Sequence, residues 1–217
     1  MSVPRGSCYR RASRGLVAIF GPLALLTVVA PGCDDRTVPT AAEPEICEGY
    51  PNPATSPYRL PIPVGESSLI TQGNCGPFTH AGRHRYAYDF DLEVGRTLVA
   101  MRGGEVIELE ESFVDFEATA INQANFVRVQ HADGTVADYV HLMHQGVLVD
   151  LGETVAAGQP IALSGVTGFT NGFPHLHLVV FACDDDCDSV PVTFNNVAPP
   201  APGGLQAGVV YTALPPP

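Results

Sequence analysis

The sequence contains no lysine and no tryptophan among its 217 residues. All eleven basic residues are arginines, and the part of the chain after Cys33 carries seven of them against 23 acidic residues. Nucleic-acid binding depends on cationic groups that neutralise phosphates, and an anionic membrane surface attracts proteins in the same way. We therefore expect no nucleic acid among the partners of this acidic chain, and no binding to a membrane surface through its charge.

The absence of lysine also excludes one class of small β-rich protein. The run from Gly152 to Ile161 has the Gly-x-x-Val-x-x-Gly-Gln-x-Ile pattern that lipoyl and biotinyl carrier modules share. Those modules attach their cofactor to a lysine side chain, which this chain does not contain. We therefore interpret the run as part of a different β domain.

Long apolar runs are missing as well. The apolar stretch at residues 16–30 falls short of the ~20 residues that span a membrane comfortably. Arg10 and Arg11 precede it and Pro31-Gly32-Cys33 follows it, an order typical of an export signal at residues 1–32. Gly32-Cys33 also resembles a bacterial lipobox, in which cleavage leaves the cysteine N-terminal and lipidated. We expect a cell-envelope protein that meets the membrane only through a lipid on Cys33; secretion without the lipid is the alternative.

Four cysteines remain after the export signal and Cys33: Cys47, Cys75, Cys183 and Cys187. An even number in an oxidising compartment indicates disulfides, and four cysteines allow three pairings. We favour Cys183–Cys187, which would close an acidic loop, and Cys47–Cys75, which would tie the linker to the domain. A zinc knuckle is disfavoured because there is only one short cysteine pair and its spacing is loose.

The chain divides by composition into three further parts. Residues 33–57 are polar and rich in proline, which is typical of a tether. Residues 58–195 carry short apolar or alternating runs closed by turn residues, the pattern of an all-β sandwich or barrel with long loops, including an acidic one at 110–125. Residues 196–217 are rich in Pro, Ala and Gly, and we expect a tail that is disordered or draped on the surface. The predicted strands are Tyr86 to Leu92, Thr97 to Met101, Glu105 to Leu109, Phe126 to Gln130, Val136 to Leu142, Gly146 to Val149, Pro160 to Leu163 and Leu176 to Phe181.

Histidines and one aspartate mark three stretches of the predicted domain. His80 and His84 precede Asp89, His141 lies near the end of the predicted strand from Val136 to Leu142, and Pro174-His175-Leu176-His177 opens the last strand. On a strand, residues two apart point to the same face, so His175 and His177 are predicted to project together, ~7 Å apart. A catalytic zinc site needs three protein ligands from His, Asp or Glu and an open fourth position, and further histidines nearby can move protons. No His-Glu-x-x-His segment is present.

Six short motifs follow one another along the predicted domain. They are Tyr86-Ala87-Tyr88-Asp89-Phe90, Gly95 to Ala100, Tyr139-Val140-His141-Leu142, Gly152 to Ile161, Ser164 to Gly168 and His175-Leu176-His177. In this order they resemble one known family, the lysostaphin/LytM-type zinc metallopeptidases, and the resemblance covers roughly residues 60–195. It implies a compact antiparallel β fold and a zinc endopeptidase that cuts stem peptides or cross-bridges of bacterial peptidoglycan.

The resemblance also implies roles for individual residues. Asp89 and His177 match the family's carboxylate ligand and second histidine ligand. His141 and His175 match its two non-ligand histidines, which are expected to orient or deprotonate the attacking water, stabilise the oxyanion and protonate the leaving amine. The division of these tasks between His141 and His175 stays open.

The first histidine ligand is where the chain departs from the family. The usual spacing is His-x-x-x-Asp, whereas His84 lies five residues and His80 nine residues before Asp89. If a strand begins at Arg85, alternation points His84 away from the metal, while the Gly82 loop can swing His80 over Asp89. We favour His80, with His84 as the alternative, and interpret His84, together with His131 and His144, as an exposed or loop histidine.

A rival function is that of a non-catalytic relative, which binds peptidoglycan or activates another wall hydrolase. Degenerate relatives lack one or more of the metal or catalytic histidines, whereas all five positions can be filled here. We therefore expect an enzyme with one zinc ion per domain, a peptidoglycan peptide as substrate, and a monomeric state.

Overall fold

The computed structural model describes residues 47–76, 78–117 and 120–217. The predicted export signal, the lipidation site at Cys33 and most of the predicted tether lie outside these residues. Within them the chain contains twelve strands and three short 3-10 helices, and no helix long and apolar enough to cross a membrane. The 3-10 helices are Pro53–Thr55, Gly82–His84 and Ile121–Gln123. The strands are β1 (Ser67–Gln72), β2 (Tyr88–Asp91), β3 (Thr97–Val99), β4 (Gly104–Glu110), β5 (Phe126–Gln130), β6 (Val136–Val140), β7 (Leu142–Val147), β8 (Thr154–Val155), β9 (Pro160–Ser164), β10 (His175–Phe181), β11 (Val197–Ala198) and β12 (Val210–Ala213).

The strands form two antiparallel sheets, which confirms the all-β prediction. Nine strands make the larger sheet, in the order β11-β12-β1-β2-β10-β6-β5-β4-β8, and β3, β9 and β7 make the smaller one. One apolar core joins them, because buried side chains of the small sheet, such as Leu98 and Ile161, share a cluster with Phe90 and Leu178 of the large sheet. Each large side chain buried there contributes roughly 1.5–3 kcal/mol to the stability of the fold.

Alternate side chains of β10 point to opposite faces of the large sheet, one towards the main core and the other towards the two histidines. Leu176, Leu178 and Val180 point into the main core, whereas Val179 and Phe181 belong to a separate cluster with Ala87. Since side chains alternate along a strand, His175 and His177 share the second face with Val179 and Phe181. The predicted common face of the two histidines is therefore present.

The predicted strand from Val136 to Leu142 is broken in two. His141 lies between β6 and β7 with a φ of 66°, in the left-handed region. A non-glycine residue rarely adopts this conformation, and it is found where the surrounding structure holds it in place. The break turns the chain from the large sheet into the small one.

The prediction of a tail beyond residue 195 is wrong. β12 pairs with β1, with Ser67 opposite Thr212 and Leu69 opposite Val210, so the C-terminal segment extends the large sheet. Leu205 and Tyr211 are buried in the main core. The low apolar content of this segment suggested disorder, but a few side chains at the right register are enough to dock it.

The end of the predicted tether also belongs to the domain. Both favoured disulfides, Cys47–Cys75 and Cys183–Cys187, are present, with Cα–Cα distances of 5.8 and 5.5 Å. Beyond the first of them, the ring of Tyr50 packs edge-on against Tyr86 at 6.1 Å between centroids, and Ser56 is buried. The ordered domain therefore includes residues 47–57, which were predicted to lie outside it.

Candidate metal centre

Strand pairing brings Asp89 and His177 together. Within the large sheet β2 lies beside β10, and the register places His177 directly opposite Asp89. The Nδ1 atom of His177 is 2.9 Å from the Oδ1 atom of Asp89. Two residues far apart in sequence thus meet on the face of the sheet that points away from the main core.

His80 completes the cluster from the loop before β2. Its side chain is fully buried, and its Nε2 atom lies 3.1 Å from Asp89 Oδ1 and 3.3 Å from His177 Nδ1. Among the described residues, these three form the one group of three or more metal-ligating side chains with mutually close ligand atoms, all within 4.8 Å of one another. The structure brings together the three residues that were predicted as ligands.

The hydrogen bonding of His80 tests whether a metal ion fits this cluster. Its Nδ1 atom lies 2.9 Å from the carbonyl oxygen of Gly73. A carbonyl oxygen only accepts, so Nδ1 carries a proton, and in the neutral ring Nε2 then presents a lone pair to Asp89. A lone pair and a carboxylate oxygen at 3.1 Å repel each other unless a cation, either a proton or a metal ion, lies between them. Two histidines and a carboxylate are a donor set typical of catalytic zinc, and this second bond from a ligand histidine to the backbone is typical as well, so the residues fit that ion.

The protonation states of the cluster also suit a cation. Burial acts to raise the pKa of Asp89, but the hydrogen bonds from His177 and His80 outweigh it and hold that pKa below its usual range. Burial lowers the pKa of His177, against the opposing effect of Asp89. The cluster therefore favours an ionised carboxylate and a neutral imidazole, which are the forms that bind metals.

His141 stands beside the cluster in a fixed orientation. Its ring centroid is 4.7 Å from that of His175 and 6.1 Å from that of His177. The Nδ1–H of His141 donates to the carbonyl oxygen of Thr167 at 2.7 Å, which leaves Nε2 as the acceptor. Burial, followed by the nearby His175 and His177, lowers the pKa of His141 to about 3, so the ring is neutral at neutral pH.

Two buried polar residues hold the loop that positions His141. The hydroxyl of Thr167 donates to the carbonyl oxygen of Leu142 at 2.9 Å and accepts from the backbone N–H of Asn125 at 2.9 Å. The Asn125 side chain in turn bonds both the N–H and the carbonyl oxygen of Phe113. Sequence reasoning gave neither residue a role, although Thr167 lay within one of the six ordered motifs.

His175 occupies the rim of the site at the first position of β10. Its Nδ1 lies 2.8 Å from the carbonyl oxygen of Phe173, and its Nε2 lies 3.9 Å from Asp89 Oδ1. In His175, as in His141, Nδ1 is bonded to a backbone carbonyl oxygen and Nε2 faces away from it. The two non-ligand histidines are adjacent to each other and to the cluster, as the resemblance implied.

The three histidines interpreted as exposed or loop residues have different surroundings. His131 is buried, with Nδ1 donating to the carbonyl oxygen of Gly103 at 3.0 Å and its ring against Tyr58. His144 lies in β7, partly exposed. His84 lies in the 3-10 helix rather than on a strand, so the alternation argument that disfavoured it does not apply.

His84 is a neighbour of the cluster rather than a member of it. Its ring centroid is 5.8 Å from that of His177 and 5.2 Å from that of Phe181. Burial, with smaller effects of His177 and Arg83, lowers its pKa to about 4. It packs over β10 while His80 reaches the carboxylate.

An open groove of about 620 Å³ lies along the same face of the sheet. Val140 pairs with His177, so the groove begins next to the cluster, and the strands that line it are β5, β6 and the end of β10. Burial raises the pKa of Asp138 to about 6, although Arg128, bonded to it at 2.9 Å, opposes the rise. The groove is lined by Arg83, His84, Phe126, Arg128, Asp138, Val140, Phe181, Asp184, Asp185 and Asp186.

The chain is similar in sequence to two metalloproteases. The chain is 28% identical over 115 residues to an uncharacterized metalloprotease of Buchnera aphidicola subsp. Baizongia pistaciae, covering 53% of this chain and 28% of that protein. It is 32% identical over 120 residues to an uncharacterized metalloprotease of Haemophilus influenzae, covering 55% of this chain and 23% of that protein. The chain thus spans about a quarter of the length of these two relatives.

The chain is also similar to a peptidase of known structure and matches a family model. The antimicrobial peptidase lysostaphin from Staphylococcus simulans shares 25% identity, with 57% of this chain and 47% of that chain covered and a TM-score of 0.44. Residues 83–189 match the model of peptidase family M23; this segment begins after His80 but contains Asp89, His141, His175 and His177. The predicted resemblance is confirmed, and the segment that carries four of the five site residues belongs to peptidase family M23.

Proposed function

We propose that the protein is a zinc-dependent endopeptidase that hydrolyses peptide bonds in the stem peptides or cross-bridges of bacterial peptidoglycan. The observation that carries the proposal is the convergence of five residues on one face of the large sheet. His80, Asp89 and His177 form a buried donor set, and His141 and His175 stand beside it with one ring nitrogen each free of the backbone. The M23 match and the metalloprotease relatives support a peptidase.

Three residues of the site would bind the metal ion, and two would transfer protons. His80, Asp89 and His177 would hold zinc, which supplies a Lewis acid and lowers the pKa of water towards ~7. The Nε2 atoms of His141 and His175 can accept a proton from the attacking water and, once protonated, donate one to the leaving amine. Protonated, they also stabilise negative charge that develops on the carbonyl oxygen.

The groove beside the cluster suits an extended peptide. Its floor is formed by the neighbouring strands β5, β6 and β10, so a peptide lying along it would reach the cluster at one end. Its lining mixes carboxylates, arginines and the aromatic rings of Phe126 and Phe181. This lining supports a peptide substrate, and the bond that is cut would lie between the cluster and the Nε2 atoms of His141 and His175.

We also propose that the protein acts outside the cytoplasm, attached through a lipid on Cys33. The disulfides Cys47–Cys75 and Cys183–Cys187 support an oxidising compartment. The arginine pair, the apolar stretch and Gly32-Cys33 support export and lipidation. Peptidoglycan is the polymer of that compartment.

Digestion of purified sacculi tests whether peptidoglycan is the substrate and which of its peptide bonds is cut. Zinc-loaded protein should release fragments with new peptide termini from at least one of a panel of sacculi that differ in cross-bridge chemistry, and mass spectrometry of the fragments identifies the bond. Co-sedimentation with sacculi is measured in parallel. Binding without cleavage on every chemotype would favour a non-catalytic wall-binding relative instead.

A further inference from the structure

A small ring follows the strand that carries His177. Directly after β10, the disulfide Cys183–Cys187 closes residues 183–187 into what is here named the disulfide ring. Arg128 of β5 holds one side of the ring, since its Nη2 donates to the carbonyl oxygen of Asp184 at 3.0 Å and its Nη1 lies 2.9 Å from the carboxylate of the same residue. The ring is thus fixed to the large sheet.

Arg83 fixes the other side of the disulfide ring. It lies in the segment between His80 and Asp89, residues 81–88, which we name the ligand loop. Its Nε donates to the carbonyl oxygen of Cys187 at 3.0 Å and its Nη2 to that of Asp185 at 2.8 Å. Its Nη1 bonds the carboxylate of Asp186 at 2.9 Å.

Further contacts run along the same seam between the ligand loop and the exit of β10. The Arg83 guanidinium lies 4.6 Å from the centroid of the Phe181 ring. The N–H of Ser189 donates to the carbonyl oxygen of Arg83 at 2.9 Å, and the Ser189 hydroxyl accepts from the N–H of Tyr86 at 3.1 Å. The ligand loop is therefore attached to the chain on both sides of the disulfide ring.

This attachment links two elements that bear ligands. β10 carries His177, and the ligand loop connects His80 to Asp89 across eight intervening residues. A loop of this length has many conformations when it is free, and ordering it costs free energy that otherwise subtracts from metal binding. A loop that is already fastened brings His80 to the carboxylate without that cost.

We propose that Arg83 and the disulfide ring form a positioning clamp, which holds the ligand loop so that His80 meets Asp89 and His177 in a zinc-binding arrangement. The proposal rests on the zinc site of the proposed function. Arg83 is a positioning residue, because it acts through the loop and does not touch the cluster. Opening the disulfide releases the carbonyl oxygens that receive Arg83 and has the same effect as removing its side chain.

The contacts of the clamp are unequal, and this supplies a matched control. The Asp186 side chain is fully exposed, so its ion pair with Arg83 contributes little. The two carbonyl oxygens require the planar fork of arginine, which the point charge of lysine cannot reproduce. Asp186→Asn should leave the clamp intact, whereas Arg83→Lys, Arg83→Ala and the double change Cys183→Ser with Cys187→Ser should release it.

The test is the dissociation constant of zinc, measured by competition with a chelating indicator on each purified protein, together with the melting temperature of the metal-free forms. We expect roughly 10-fold weaker zinc binding in the three released variants. Zinc binding by Asp186→Asn should stay within about twofold of wild type. If Arg83→Ala does not fold, the zinc affinities of Arg83→Lys and the double serine variant test the clamp.

If the folded Arg83 and cysteine variants bind zinc as tightly as the wild type, the proposed clamp is wrong. The same holds if these changes lower only the melting temperature. Zinc binding by the wild type without cleavage of any sacculus would refute the proposed function and leave the clamp standing. A wild-type protein that binds no zinc would overturn both.

Discussion

Replacing His141 or His175 with alanine should nearly abolish cleavage of peptidoglycan and leave zinc binding unchanged. Neither ring belongs to the three-residue donor set, and each is anchored by Nδ1 to a backbone carbonyl, at 2.7 Å for His141 and 2.8 Å for His175. Proton transfer by a positioned side chain contributes ~10²–10⁴-fold to a rate, and each variant should lose a factor in this range.

The measurement is the rate of fragment release from sacculi at saturating enzyme, with zinc content determined on the same preparations. His144→Ala is the control, because that histidine lies in β7 outside the site and the variant should keep wild-type activity. Full activity in both the His141 and His175 variants would contradict their assigned roles. Loss of zinc from either one would instead make it a ligand.

His80→Ala should lose zinc, whereas His84→Ala should retain it. The Nε2 of His80 is 3.1 Å from the Asp89 carboxylate, while His84 meets the site only through its ring contact with His177. Loss of a direct ligand should weaken zinc binding by more than the ~10–100-fold that follows the loss of a supporting partner. Zinc stoichiometry after gel filtration distinguishes the two variants.

His84→Ala also serves as the control for His80→Ala, because both remove an imidazole from the same loop. Its melting temperature should fall slightly through the lost packing on Phe181, with one zinc still bound. If only His84→Ala lost its zinc, the assignment of the first ligand would be wrong and the loop would have to bind metal in another conformation.

Part of the site was predictable from local sequence because it depends on strand geometry. The two-residue period places His175 and His177 on one face, and β10 shows this face opposite the buried Leu176 and Leu178. The pairing of His177 with Asp89 depends on β2 lying next to β10, which the ordered motifs implied only through the family resemblance.

Other features depend on contacts that no local pattern reports. His141 takes a left-handed conformation inside an apolar run without a glycine or a turn signal, and its bond to Thr167 comes from a distant loop. His80 was favoured on the assumption that a strand began at Arg85, but β2 begins at Tyr88. In the structure the His80 ring is oriented by the bond of its Nδ1 to the carbonyl oxygen of Gly73, which no local pattern predicts.

The C-terminal segment was misjudged for a related reason. Its composition is typical of disorder, and its only apolar run is at residues 209–211. Register with β1 nevertheless lets Tyr211 and Ala213 enter the main core. A short strand docks when a neighbouring edge supplies its hydrogen bonds, and that edge is not visible in the segment's own sequence.

Titration of zinc into metal-free protein, with fragment release from sacculi as the readout, tests the central claim most directly. If His80, Asp89 and His177 hold one catalytic ion, cleavage should be absent without zinc, rise in proportion to added zinc and level off at one equivalent, and His177→Ala should stay inactive throughout. Cleavage that persists in the metal-free protein, or that never appears at any zinc level on any sacculus, would contradict it.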